Sequence, residues 1–148
     1  MNSEVIILIA EDDDGHAGLI RKNLVRAGIV NEIIHFKDGL AVVNFLFKTG
    51  QGPHREAGKA YILLLDIRMP ALDGVEVLTR IKADPALRKL PVIMITTTDD
   101  PREVEKCHAL GCNSYISKPI EYEEFVNAIR QLGLYLAIVQ VPRVNGGN

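Results

Sequence analysis

Short runs of purely apolar residues alternate along this chain with stretches in which apolar residues recur every three or four positions. Residues 5–10 read VIILIA, 62–65 read ILLL and 91–96 read PVIMIT. Each is too short for a helix of ordinary length but long enough for a strand buried on both faces of a parallel sheet. Residues 32–36 and 113–117 carry the same signal more weakly and are expected as shorter strands, the former at a sheet edge. Between these runs the period changes to that of a helix face. Ala17, Ile20, Leu24 and Ala27 form one such face and Gly28 stops it; Val42, Phe45 and Leu46 form a second, opened by Asp38-Gly39 and ended at Thr49-Gly50. Val75, Leu78 and Ile81 follow Asp73-Gly74 and end at Asp84-Pro85. Val104, Cys107 and His108 follow Asp100-Pro101, an N-cap with proline in the first helical position, and Gly111 ends that helix. A fifth helix begins near Glu121 and faces inward with Phe125, Ile129, Leu132 and Leu136. Residues 51–60, polar and containing Gly and Pro, are expected as a loop with His54 in solvent.

Five strands alternating with five helices through short connections imply an α/β fold, with a parallel sheet covered on both sides by right-handed crossovers. The doubly wound strand order 2-1-3-4-5 follows. That order makes the first, third, fourth and fifth strands neighbours and brings their carboxyl ends to one edge, where ligands bind in open α/β sheets. Each of those ends carries a polar residue: Glu11 and Asp12, Asp66, Thr96, and Lys118.

Composition narrows the classes without adding chemistry. The 148 residues fit one domain, and a formal net charge of -2 with no basic stripe offers no footprint for nucleic acid. The apolar run at 5–10 is too short for a membrane span or a signal-peptide core, so a cytoplasmic protein with no membrane partner is expected. Cys107, His108 and Cys112 cluster in sequence but lack a second ligand pair, which favours packing over metal.

Three carboxylates held together repel, and at least one has its pKa raised unless a cation compensates them. A hard divalent cation answers this: Mg²⁺ takes oxygen ligands, keeps several waters, and uses one or two carboxylates plus a phosphate. Asp12 and Asp66 suit direct ligation, with Glu11 behind them. A carboxylate is also a nucleophile toward phosphorus. Lys118 can neutralise one phosphoryl oxygen and Thr96 can hydrogen-bond another.

Glu11-Asp12 after the first strand, Asp66 after the third followed by Met69-Pro70 and Asp73-Gly74, Thr96 after the fourth and Lys118-Pro119 after the fifth occur in order at strand ends. In this, and over almost its whole length, the chain resembles a two-component response regulator receiver domain with the flavodoxin-like receiver fold. The resemblance implies a single-domain regulator of a phosphorelay. In it Asp66 accepts a phosphoryl group from a histidine kinase's phosphohistidine, with Mg²⁺ held by Asp12, Asp66 and the main-chain carbonyl of Arg68, and with Glu11 in support. It implies that Lys118 and Thr96 contact the phosphoryl group, that the Lys118-Pro119 bond is cis, and that Tyr115 is the aromatic switch partner of Thr96. Such a protein is a signalling phosphoacceptor that assists its own phosphorylation and dephosphorylation rather than a turnover enzyme. The polar segment before residue 62 and the apolar tail are similar to the small stand-alone regulators of cyanobacterial and bacterial phytochrome kinases, which makes a phytochrome the expected kinase.

Two other classes share parts of this pattern. A haloacid-dehalogenase-type phosphohydrolase needs a second acid two residues after its nucleophile, a position that Arg68 fills here. A phosphorylation-independent scaffold needs none of the site. Asp13 and Asp14 read as caps of the first helix, while His16, His35 and His108 show no partner pattern and are expected in packing or solvent. The receiver domain is placed at 1–132 and an apolar extension at 133–148. In that extension Leu134, Tyr135, Ala137, Ile138, Val139 and Val141 leave the helix apolar on every side. A homodimer through this extension is one expectation; an added strand or a tail folded back is the other.

Overall fold

A computed structural model describes residues 1–97, 100–118 and 121–144. The elements run in order β1 (Ile6–Ala10), α1 (Asp14–Arg26), β2 (Ile33–Phe36), α2 (Gly39–Phe47), β3 (Tyr61–Leu65), α3 (Gly74–Ala83), β4 (Val92–Thr96), α4 (Pro101–Leu110), β5 (Ser114–Ser117) and α5 (Tyr122–Ile138). All strand pairings are parallel and the order is β2-β1-β3-β4-β5, as the alternation of periods predicts. Strands β1, β3 and β4 are buried along their whole length, which is why they read as unbroken apolar runs.

Alternate residues of each strand serve two cores. Leu8, Leu63, Leu65 and Met94 pack under α2, α3 and α4, whereas Ile7, Ile9, Ile62, Leu64, Ile93 and Ile95 pack under α1 and α5. Among the described residues, four of the five helix starts are capped by aspartates, while α5 follows Glu121 with no side-chain cap. The Asp13 carboxylate accepts from the His16 amide at 3.0 Å, Asp38 from Ala41 at 2.7 Å, Asp73 from Glu76 at 2.9 Å and Asp100 from Arg102 at 3.0 Å. Gly111 ends α4 with φ of 106°. The second helix stops sooner than Thr49-Gly50 suggests, because Lys48 itself takes the left-handed conformation at φ 60° and turns the chain out.

The segment between α2 and β3 is tied down by a buried cation. Arg55 donates from Nε to the Leu46 carbonyl at 2.7 Å and from its amide to the Phe45 carbonyl at 3.0 Å, so it covers carbonyls that the end of α2 leaves open. The Tyr61 hydroxyl accepts from the Glu56 amide at 2.9 Å, and its backbone pairs with Ile6, so β3 starts one residue ahead of the apolar run.

At the C-terminus α5 passes position 132 without a break and reaches Ile138. The chain then returns along the start of β3: Arg143 forms an antiparallel bridge with Ala60, the Val144 amide donates to the Lys59 carbonyl at 2.9 Å, and Val144 is buried in the core beneath α2. Within the apolar tail Leu136 is fully buried, Val139 and Val141 are partly covered, and Leu134, Tyr135 and Ile138 stay exposed, Ile138 at 76%. A fold-back therefore accounts for the last strand-like residues but leaves one stripe of α5 uncovered. Among the described residues no helix is long and apolar enough to cross a membrane.

Two glycines bring the helices close to the loop after β3. A Cβ on Gly74 would stand 2.1 Å from the Asp66 carbonyl oxygen, and one on Gly39 would stand 1.8 Å from the Leu72 carbonyl oxygen. Both obstacles are backbone, which cannot rotate away. Gly74→Ala is expected to lower unfolding free energy by about 1–3 kcal/mol, as overpacking does, measured by urea titration; a wild-type midpoint would show that the loop moves aside.

Candidate functional site

The site is assembled at the carboxyl edge of the sheet from four strand ends. The Asp66 amide donates to the Ala10 carbonyl at 3.0 Å and the Lys118 amide donates to the Thr96 carbonyl, so the ladder itself sets β1 beside β3 and β4 beside β5 where the polar residues begin. Glu11, Asp66, Thr96 and Lys118 are all buried, and Asp12 is exposed at the rim. Burial of two acids, a hydroxyl and an ammonium in one place is costly unless they satisfy one another.

Most of them do. The Lys118 ammonium donates to Glu11 Oε1 in a short contact and to Asp66 Oδ2 at 3.2 Å. Asp66 Oδ1 accepts from the Ile67 amide at 2.7 Å, and Glu11 Oε2 accepts from the Asp13 amide at 3.2 Å. Burial pushes the Glu11 carboxyl up to about 7; the hydrogen bond and charge of Lys118 pull it partly back, and the charge of Asp66 adds to the rise. Thr96 Oγ1 is the exception: the residue is 0% exposed and its hydroxyl has no partner among the described residues. A buried hydroxyl left without an acceptor carries a desolvation penalty that an incoming oxygen anion would remove.

One carboxylate oxygen from each of Glu11, Asp12 and Asp66 lies within 4.8 Å of the other two. Three oxygen donors at that spacing, two of them buried, fit a hard divalent cation and no soft one. Among the described residues no other group of three or more His, Cys, Asp or Glu side chains gathers in this way. The cysteines behave as packing residues: Cys107 and Cys112 are free and buried, burial pushes the Cys107 thiol up to about 11, and His108 Nδ1 is 3.8 Å from Cys112 Sγ.

Arg68 is exposed in the turn where the Met69 amide donates to the Ile67 carbonyl at 3.1 Å. Tyr115 lies on β5 opposite Met94, half-buried against the core under α2, α3 and α4. The expected cis bond between Lys118 and Pro119 lies outside the described residues. Two histidines that the sequence leaves without partners have them. His35 Nε2 is 2.7 Å from the Glu11 carbonyl, and His16 Nδ1 is 3.1 Å from Lys118 Nζ with its ring edge-on to Phe125. No local pattern signals either contact, since each spans elements far apart in the chain.

The parallel sheet in the order 2-1-3-4-5 carries acids, a hydroxyl and a lysine at its carboxyl edge, where open α/β sheets bind their ligands. Residues 7–130 match the response regulator receiver domain family, and the chain belongs to it. The response regulator Rcp1 from Synechocystis sp. is 30% identical over 142 residues, 95% of each chain, and its Mn²⁺-bound crystal structure superposes with a TM-score of 0.83 over 93% of this chain and 98% of that one. A response regulator receiver domain from Rhodospirillum rubrum is 48% identical with a TM-score of 0.89, covering 95% of this chain and 99% of that one. The bacteriophytochrome response regulator RtBRR is 35% identical with a TM-score of 0.72, covering 95% of this chain and 84% of that one. The protein is thus a receiver-domain signalling protein homologous to phytochrome response regulators. Receiver domains work with histidine kinases in two-component signalling and bind Mg²⁺ at an acidic pocket. The hydrolase and scaffold readings are not favoured.

Because the folded state holds the Glu11 proton up to about pH 7 while an ordinary glutamate releases it near 4.5, folding binds protons between those values. Metal-free stability is therefore expected to fall as pH rises through that window. The fully expressed loss is no more than about 3 kcal/mol. Thermal melts of wild type and Glu11→Gln at pH 5 and pH 8 measure it; an equal fall in both proteins would remove Glu11 as its source.

Proposed function

We propose that this protein is a cytoplasmic phosphoacceptor in which Asp66 takes a phosphoryl group from the phosphohistidine of a phytochrome-type kinase in a Mg²⁺-dependent reaction. The observation that carries the reading is the pairing of a buried, amide-held carboxylate with a buried ammonium and an unsatisfied hydroxyl. Asp66, Lys118 and Thr96 supply the nucleophile, the charge and the donor that a phosphoryl group requires. In the transfer the phosphorus–nitrogen bond of phosphohistidine breaks with its electron pair going to the imidazole, and an Asp66 carboxylate oxygen forms the new bond to phosphorus. Lys118 meets one phosphoryl oxygen and Thr96 donates its hydroxyl to another.

Asp12, Asp66 and the main-chain carbonyl of Arg68 would hold the cation, with Glu11 beside them. Bound there, Mg²⁺ would neutralise charge on the phosphoryl oxygens. The oxygen-only trio and the Mn²⁺-bound state of the Rcp1 relative support this assignment. The kinase class rests on the similarity to the bacteriophytochrome response regulator RtBRR.

In this reading the new phosphoryl group draws Thr96 toward it, and Tyr115 follows into the space released, changing the face formed by α4, β5 and α5. A shift from mostly inactive to mostly active needs about 5.5 kcal/mol of preference for the active arrangement. Phosphoramidate, whose phosphorus–nitrogen bond stands in for phosphohistidine, tests the acceptor. Wild type should label only with Mg²⁺ and Asp66→Asn should fold normally and take no label, whereas equal labelling of that variant would overturn the assignment.

The exposed stripe of Leu134, Tyr135 and Ile138 supports a homodimer in which α5 packs against a second copy. Removing the tail is a poor test because it would also remove Leu136, which is fully buried. In the full chain, Leu134→Glu with Ile138→Glu should convert a dimer to a monomer in sedimentation equilibrium. A wild-type monomer at high micromolar concentration would end the dimer reading.

A further inference from the structure

We infer that His16 is a positioning residue for Lys118, taking the third of its N–H donors and so fixing the ammonium between the two buried carboxylates. The inference rests on the assignment of Lys118 to the phosphoryl group and deepens it. A lysine ammonium has three donors and no acceptor. In this structure all three are directed at partners: Glu11 Oε1, Asp66 Oδ2 and His16 Nδ1 at 3.1 Å. An ammonium has no lone pair, so a ring nitrogen facing it at that distance accepts the hydrogen bond, which leaves Nε2 of His16 to carry the ring's own proton.

His16 suits the task because its backbone and ring are held independently of Lys118. Its amide donates to the Asp13 carboxylate at 3.0 Å in the first turn of α1, and its ring stands edge-on to Phe125 of α5, centroids 5.6 Å apart. The His16 side chain is 37% exposed where that of Lys118 is 3% exposed, so the imidazole reaches from solvent to a buried ammonium. Without it the third N–H would need a water in that place, and the ammonium would be free to turn out from between Glu11 and Asp66.

Two variants separate the hydrogen bond from the packing. His16→Phe keeps a ring against Phe125 and loses the acceptor, while His16→Asn loses the ring and keeps an oxygen acceptor near the position of Nδ1. Both leave the amide that caps α1. With saturating Mg²⁺ and phosphoramidate, His16→Phe should label Asp66 about tenfold more slowly, the loss of one charge-assisted hydrogen bond, and His16→Asn should stay within about threefold of wild type. A wild-type rate in His16→Phe, or an equally slow His16→Asn, would overturn the inference. Long-range ¹H–¹⁵N spectra of the ¹⁵N-enriched, unphosphorylated protein give a second measurement that needs no phosphoryl transfer. They should show His16 as the neutral tautomer protonated at Nε2, and a proton on Nδ1 would overturn the inference whatever the rates. Should wild type itself fail to label while the tautomer is as expected, the acceptor reading fails and the Lys118–His16 contact stands.

Discussion

A buried ammonium is tolerable only where anions meet it, and the Lys118 contact with Glu11 and Asp66 is the constraint on which the carboxyl edge of this sheet depends. Removing either carboxylate would leave a charge in a place that water barely reaches. Removing the lysine would leave two carboxylates facing each other across the same space. The three groups therefore form one unit, and four strands, β1, β3, β4 and β5, must hold their register for that unit to exist. The sheet in turn gains nothing from placing charge there. The arrangement is a cost carried by the apolar packing of both cores, and it is intelligible as preparation for a dianionic group and its cation.

Under the proposed acceptor role, the same unit would also store a signal. In the resting arrangement the positive charge of Lys118 is matched by carboxylates and by an imidazole lone pair, while the Thr96 hydroxyl is matched by nothing among the described residues. A phosphoryl group on Asp66 would give both donors a better acceptor at once. The preference for the modified state would then come from donors that stand at the site before the group arrives, which is how preorganised sites derive their effect.

The fold was legible because its strands are short and doubly buried, so that VIILIA, ILLL and PVIMIT cannot be helices, and because aspartates cap the helices in sequence as in space. The site was legible because a parallel sheet sends every strand end to one edge. Other features were not. His16 and His35 acquire partners through the way α1 and β2 lie against the loops around Glu11 and Lys118, and no local pattern encodes that. Gly74 reads as a turn residue in sequence, whereas in the structure what counts is the absent Cβ beside the Asp66 carbonyl. In the tail the apolar content was evident but its division was not. Part folds back onto Lys59 and Ala60, part is buried beneath α5, and one stripe remains open.

The return of the chain along the start of β3 places its anchoring at the amino edge of the sheet, one five-residue strand away from Asp66. The segment held by Arg55 leads to that same edge. A strand of this length spans roughly 17 Å, so both anchored segments stand that far from the polar groups at the carboxyl edge. The molecule is thereby divided along its strands, one end gathering the polar groups and the other fastening the loop and the tail.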